Sequence, residues 1–229
     1  MAKDSHCEHL TEKMCILAVP IFNHLDPDEM NEIMKTTNAV AHLRGDTIYR
    51  AGEPSEGLYI VRKGYVKIYR LSDAGKEQLV RLLGPGDFTG ELSLFSESVH
   101  DAYAEAMEPV ELCMMNYDVF QQFLVKYPAI ALKVLAEFSI RLAKTEQQSA
   151  NIAMETVETR IAMYLANLVE EQKDLTVKLP MSRKDLASHL GTTPETVSRK
   201  LTEFEDAGWI RQTKQRDLQI VDLDALFLA

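Results

Sequence analysis

The sequence predicts an α+β chain: an N-terminal β-roll, then a long helix, then a C-terminal winged helix-turn-helix. Three observations carry this. Glycine punctuates short β-like runs from Ala39 to Met115, no glycine occurs between Pro128 and Gly191, and two capped helical patterns joined by Gly191 lie between Ser182 and Ile210. At 229 residues the chain suits two compact domains and a connector. The divisions fall at 1–127 for the β-roll with short N-terminal helices, 128–154 for the long helix, and 155–229 for the winged domain.

The β-roll rests on Thr47 to Arg50, Gly57 to Arg62, Tyr65 to Leu71, Gln78 to Leu83 and Val110 to Met115, separated by turns such as Gly45-Asp46, Lys63-Gly64, Asp73-Ala74-Gly75 and Gly84-Pro85-Gly86-Asp87. Regular turns between alternating runs indicate an antiparallel roll or barrel. Before it, Glu29 to Lys35 reads as a short helix, with Asp26 as N-cap and Pro27 in its first turn.

After Pro128 the pattern is helical. Leu135, Phe138, Leu142, Thr145, Ser149 and Ile152 recur at three- and four-residue steps, a stripe along a helix about 38 Å long at the usual rise. Part of this stripe packs on the β-roll of its own chain. A helix of that length outreaches a small domain, so the reading favoured here pairs it with its copy in a homodimer. The next domain opens near Glu155 with a helix through Arg160, Ile161, Tyr164, Leu165 and Leu168.

The sharpest local signal follows. Ser182 with Asp185 is a variant capping box that opens a short helix with Leu186, Ala187 and Leu190 inward, and Gly191 ends it. Thr193 caps the next helix, Pro194 fills its first turn, and Val197, Leu201 and Phe204 share its buried side. The other side carries Glu195, Ser198, Arg199 and Thr202. Arginine donates two bonds to guanine, glutamate accepts from the cytosine amine, and serine serves several base edges, so this face suits reading the major groove of double-stranded DNA. An ordinary solvated face is the plainer alternative; the agreement of caps, turn glycine and inward triplet argues against it. Trp209-Ile210 and Leu218 to Val221 flank the polar turn Lys214 to Asp217 as a two-stranded wing, whose basic residues suit either phosphate or plain solvent.

Charge constrains the same reading. The net charge of -10 denies the chain a global field that attracts a polyanion, so nucleic-acid binding needs a local basic face. Arg183, Lys184, Arg199, Lys200, Arg211, Lys214 and Arg216 outweigh Asp185, Glu195, Glu203, Glu205 and Asp206, a small surplus inside the motif. The polar N-terminus does not read as a signal peptide and no apolar run is long enough to span a bilayer, so the expectation is a cytoplasmic protein without a membrane partner. Three cysteines form no disulfide framework. His6-Cys7-Glu8-His9 holds residue types that bind metals, but it reads as a terminus with chance histidines, and no metal site is expected. No nucleophile elbow, phosphate loop or acid-base set is present, so an enzyme is not expected.

With these parts in order, the chain resembles the cyclic-AMP receptor protein/fumarate-nitrate regulator superfamily over nearly its full length. The resemblance rests on Gly45-Asp46 with Gly52-Glu53, on Gly57-Leu58-Tyr59-Ile60-Val61 with Lys63-Gly64, on Gly86-Asp87-Phe88 with Gly90-Glu91-Leu92-Ser93-Leu94-Phe95, and on Glu195-Thr196-Val197-Ser198-Arg199. It implies a cyclic-nucleotide-binding-type β-roll, a dimerisation helix, a palindromic promoter site and contact with RNA polymerase. Nucleotide-binding members follow the Gly-Glu segment with an arginine that neutralises the cyclic phosphate. Here that place falls at His100 or Asp101, and the adenine-contacting Thr-Ser pair is Thr145-Glu146. Neither group replaces a bidentate guanidinium, so cyclic AMP is not the expected effector. Glu91, Ser93, His100 and Thr145 are the residues that line any ligand pocket by this resemblance, and another metabolite or haem in the β-roll is the alternative effector.

The recognition pattern Glu195-x-x-Ser198-Arg199 is similar to that of the fumarate-nitrate regulators. It implies a site of the TTGAT...ATCAA kind, with Ser198 at the outer T-rich step and Glu195 and Arg199 at the inner G·C pair. Ser182, Arg183, Thr193 and Thr196 match positions that contact phosphate or groove edges. Oxygen-sensing members hold an iron-sulfur cluster with four cysteines; Cys7, Cys15 and Cys113 fall short of that set. The chain is therefore most similar to fumarate-nitrate regulator-like proteins of Gram-positive bacteria, which implies a thiol-disulfide switch between Cys113 and Cys15 or Cys7. Cys113 as a small buried hydrophobe is the competing reading.

Overall fold

The computed structural model describes residues 19–94, 99–214 and 216–228. They form two compact units: residues 19–76 with Val80–Leu142, and Glu77–Leu79 with residues 143–228.

The first unit opens with α1 (Pro27–Met34), where Asp26 and Glu29 form a reciprocal capping box. Among the described residues two four-stranded sheets follow. One has the order β1 (Thr37–His42), β8 (Val110–Asn116), β3 (Gly57–Lys63), β6 (Phe88–Thr89); the other has the order β2 (Thr47–Tyr49), β7 (Tyr103–Ala106), β4 (Val66–Leu71), β5 (Glu77–Leu83). The runs read from sequence reappear within a residue or so at each end. β1, β6 and β7 are additional, and β7 is the central partner of both β2 and β4.

Two cores result. Leu58, Ile60, Phe88, Cys113 and Met115 pack with Ile33 and with Phe120 and Phe123 of α2 (Tyr117–Lys126), while Tyr49, Val61, Val66, Ile68, Ala104 and Leu112 form the second. Sequence dictates the alternation: Ile60 and Val61 of β3 are both buried but on opposite faces, one in each core. Between β6 and the 3₁₀ turn Glu91–Leu94 stands Gly90 at φ +90, where a Cβ would run into the Gly57 carbonyl. Glycine alone fits there, and it delivers Glu91 to the interior of the roll.

Helix α3 (Pro128–Met154) is unbroken over 27 residues, with no glycine or proline after Pro128 to interrupt it. Ile130 and Val134 are buried, and Phe138 packs against the first core. Leu132, Leu135 and Leu142 remain exposed.

In the second unit, Thr156 caps α4 (Val157–Gln172), which buries Ile161, Leu165 and Leu168. α5 (Arg183–His189) and α6 (Pro194–Asp206) follow, then β10 (Ile210–Gln212), β11 (Asp217–Ile220) and α7 (Leu223–Phe227). The predicted two-stranded wing has a third strand, β9 (Thr176–Lys178), in the order β10-β11-β9. The C-terminal part of α3 is tied to the end of α5, since Gln148 Nε2 donates to the His189 carbonyl at 2.9 Å. Among the described residues no helix is long and apolar enough to cross a membrane.

Candidate functional site

The recognition helix is built as its sequence dictates. Thr193 Oγ1 accepts from the Thr196 backbone N–H, and Pro194 stands in the first turn. Val197, Leu201 and Phe204 are fully buried, Phe204 meeting Trp209 at 5.2 Å between ring centroids. At the preceding helix, Ser182 Oγ accepts from the Asp185 N–H at 3.2 Å and also approaches the Asp185 carboxylate at 2.5 Å. The cap is therefore closed by hydroxyl and carboxylate. Gly191 turns the chain at φ +65, close to Arg160, whose Nη1 donates to the Leu190 carbonyl at 2.5 Å.

Glu195, Arg199 and Thr202 are exposed, and Ser198 is half-buried between them. The Glu195 carboxyl is held below its usual range, first by its own backbone N–H and then by Thr193, which keeps it an acceptor. Arg199 is two-thirds exposed and lies 3.7 Å from Glu203. Lys200 turns away from this face, its Nζ donating to Glu158 and Glu203 at 2.6 Å each. Arg183 is half-buried; its Nη1 donates to Ser198 Oγ at 3.4 Å and its Nη2 to Gln212 Oε1 at 2.5 Å. Thr193 and Thr196 have hydroxyls 3.1 Å apart.

In the β-roll, Glu91 is 2% exposed. Its Oε1 accepts from Arg141 Nη1 of α3 at 2.6 Å and from Arg81 Nη1 of β5 at 3.2 Å, while Oε2 has no hydrogen-bond partner among the described residues. Arg141 also lies over the Phe88 ring at 4.1 Å and donates to the Phe88 carbonyl. Arg81 Nη2 reaches Thr89 Oγ1 at 3.4 Å, and that hydroxyl meets Tyr49 Oη at 2.7 Å. Tyr49 stacks on His100 at 3.6 Å; burial pushes the Tyr49 phenol up to about 12 and the His100 imidazole down. His100 Nε2 is likewise buried without a partner among the described residues.

Comparison with known proteins gives this architecture a family. Residues 40–127 match the cyclic nucleotide-binding domain and residues 159–227 the Crp-like helix-turn-helix domain. A probable transcriptional regulator flp from Lacticaseibacillus casei is 32% identical, over 87% of this chain and 90% of that protein. The chain belongs to the CRP/FNR family of transcription regulators. A CRP-like cAMP-activated global transcriptional regulator of Mycobacterium tuberculosis is 31% identical, over 83% of this chain and 88% of that protein. The solved structure of FixK2 from Bradyrhizobium japonicum superposes with a TM-score of 0.75 at 26% identity, covering 83% of this chain and 95% of that one.

As in the CRP/FNR family generally, the chain thus carries a DNA-binding helix-turn-helix, and its recognition helix brings Glu195, Ser198 and Arg199 onto one face. The expected pocket residues are less uniform. Glu91 and His100 are both buried and are joined through Arg81, Thr89 and Tyr49, Ser93 lies in the 3₁₀ turn, and Thr145 is exposed on α3. Asp101 is exposed and pairs with Arg70. Cys113 lies buried in β8 opposite Ala39 and Ile60; Cys7, Cys15 and the His6–His9 run lie outside the described residues. Among the described residues no group of three or more His, Cys, Asp or Glu is arranged to hold a metal ion.

Sequence reasoning missed Arg81 and Arg141, the two partners of Glu91. Both left a signal. Arg81 shares its strand face with buried Leu79 and Leu83, and Arg141 follows Phe138 by three residues on the apolar side of α3. Gln212, which accepts from Arg183, and Glu205, which accepts from Gln212, were also missed.

Proposed function

We propose that the chain is a homodimeric regulator that reads a TTGAT-like palindrome through α6 and does not use cyclic AMP as its effector. The observation that carries the reading is the division of α6 into a buried triplet and a face presenting Glu195, Ser198 and Arg199. Arg199 donates to guanine, Glu195 accepts from the cytosine amine, and Ser198 serves the outer T-rich step. Exposed Leu132, Leu135 and Leu142 on α3 support pairing with a second copy, and the two-fold then repeats α6 about one helical turn of DNA away. Contact with RNA polymerase follows from the same class of action. Arg199→Ala is expected to weaken binding to the palindrome by about 1–3 kcal/mol and to relax one base pair. Fluorescence anisotropy on wild-type and single-substituted sites checks it, and equal binding by variant and wild type overturns the contact.

The case against a cyclic nucleotide is one of fit. The place of the phosphate-neutralising arginine falls at His100 or Asp101: His100 is buried and stacked on Tyr49, and Asp101 carries the wrong charge and pairs with Arg70, so neither offers a guanidinium to a cyclic phosphate. A thiol switch involving Cys113 with Cys15 or Cys7 is the signal proposed. Cys113 is 4% exposed, so disulfide exchange needs β8 to open locally. Cys113→Ser should abolish any difference in DNA affinity between oxidised and reduced protein. The second reading, another small ligand or haem in the roll, is favoured by Glu91 Oε2 and His100 Nε2, both buried without a hydrogen-bond partner among the described residues. A Soret band in the purified protein would select haem; an oxidant response that survives Cys113→Ser would remove the switch.

A further inference from the structure

Ser198 is held from behind. Glu205, at the C-terminal end of α6, accepts from the Gln212 backbone N–H on Oε1 and from Gln212 Nε2 on Oε2, both at 2.8 Å. These bonds keep the Glu205 carboxyl below its usual range, the backbone bond contributing most. They also fix the Gln212 amide with its nitrogen toward Glu205 and its oxygen toward Arg183, whose Nη2 it accepts. Arg183 Nη1 is left aimed at Ser198 Oγ. An arginine here is poorly served as a structural group, since its Nε is buried with no acceptor among the described residues.

We infer that Glu205, Gln212 and Arg183 form a positioning relay that sets the hydrogen-bond polarity of Ser198 and so the base it selects. This rests on the proposed reading of DNA by α6. The serine hydroxyl has one proton and two lone pairs. With a lone pair engaged by a guanidinium, which has no acceptor to offer, the proton is directed elsewhere. A base edge with an acceptor, such as thymine O4 or adenine N7, then satisfies it, whereas an amine edge meets only the second lone pair and leaves the proton without that partner. Gln212 and Glu205 specify sequence without touching DNA. Arg183, expected from its family position to contact phosphate or a groove edge, acts through Ser198 in this relay.

The test is a scan of the palindrome, substituting each base pair of both half-sites and measuring affinity for wild type, Ser198→Ala, Gln212→Met, the double variant and Arg183→Lys, with thermal melting of each. Ser198→Ala is expected to lose roughly ten-fold discrimination at one position per half-site. Gln212→Met should lose most of it at that same position, keep the preference lost in Arg199→Ala, and add nothing in the Ser198→Ala background. Arg183→Lys, which keeps the charge but lacks the fork, should behave as Gln212→Met does. Undiminished discrimination at the Ser198 position in Gln212→Met overturns the relay. So does a uniform loss at every position, which marks a merely structural role. If wild type shows no base preference at all, it is the reading of DNA by α6 that fails.

Discussion

Glu91 shows how a single side chain governs its surroundings. Two guanidiniums share one carboxylate oxygen, with the arginine side chains 27% and 19% exposed, so removing the negative charge leaves like charges together in a poorly solvated place. Glu91→Gln is expected to destabilise the protein by about 3 kcal/mol, measured by urea unfolding. Two histidines add a pH dependence. Burial lowers both His100 and His189 from the ordinary 6.5. As pH falls, the unfolded chain takes up these protons first, so their contribution to stability is complete above about pH 6.5 and is lost as pH drops through the folded-state values. The melting temperature should fall between about pH 7.5 and 5.5, and His100→Phe, which keeps the stack on Tyr49, should narrow the difference.

At the scale of elements, α6 separates stability from reading. Leu201 is fully buried, and Leu201→Ala should cost about 3 kcal/mol of unfolding free energy through the cavity it leaves. Ser198→Ala on the other face should change stability by no more than about 0.5 kcal/mol; chemical denaturation of both variants checks the contrast. This helix was legible in advance because local rules agree: Thr193 and Pro194 mark its start, and the inward triplet keeps a helical period. The strands that escaped notice had no such agreement. β1 reads Thr-Asn-Ala-Val-Ala-His and is largely exposed, β6 is two residues long, β7 is Tyr-Ala-Glu-Ala, and β9 buries only Val177. Their pairing partners, not their composition, make them strands. The sites divide in the same way. The face of α6 is encoded within five residues, whereas the clamp on Glu91 joins Arg81, Glu91 and Arg141 from separate elements, and the hold on Arg183 crosses from α5 to β10. Only the folded chain brings such residues together.

For the whole molecule, α3 is the decisive element. If the proposed dimer forms through its exposed leucines, Leu142→Glu should convert the protein to a monomer with sharply weaker palindrome binding, both read by sedimentation velocity with and without labelled DNA. The cations of α6 and the wing lead to another consequence. Arg199 lies by Glu203, Lys200 is gripped by Glu158 and Glu203, and Lys214 stands near Asp217, so phosphates arriving there compete with resident carboxylates. If DNA is bound through α6 as proposed, fewer condensed counterions should leave the duplex than a tally of lysines and arginines would suggest, and the plot of log affinity against log salt should be correspondingly shallow. A regulator held in this way would keep its site through changes of salt, with base sequence setting its grip more than the polyelectrolyte character of DNA does.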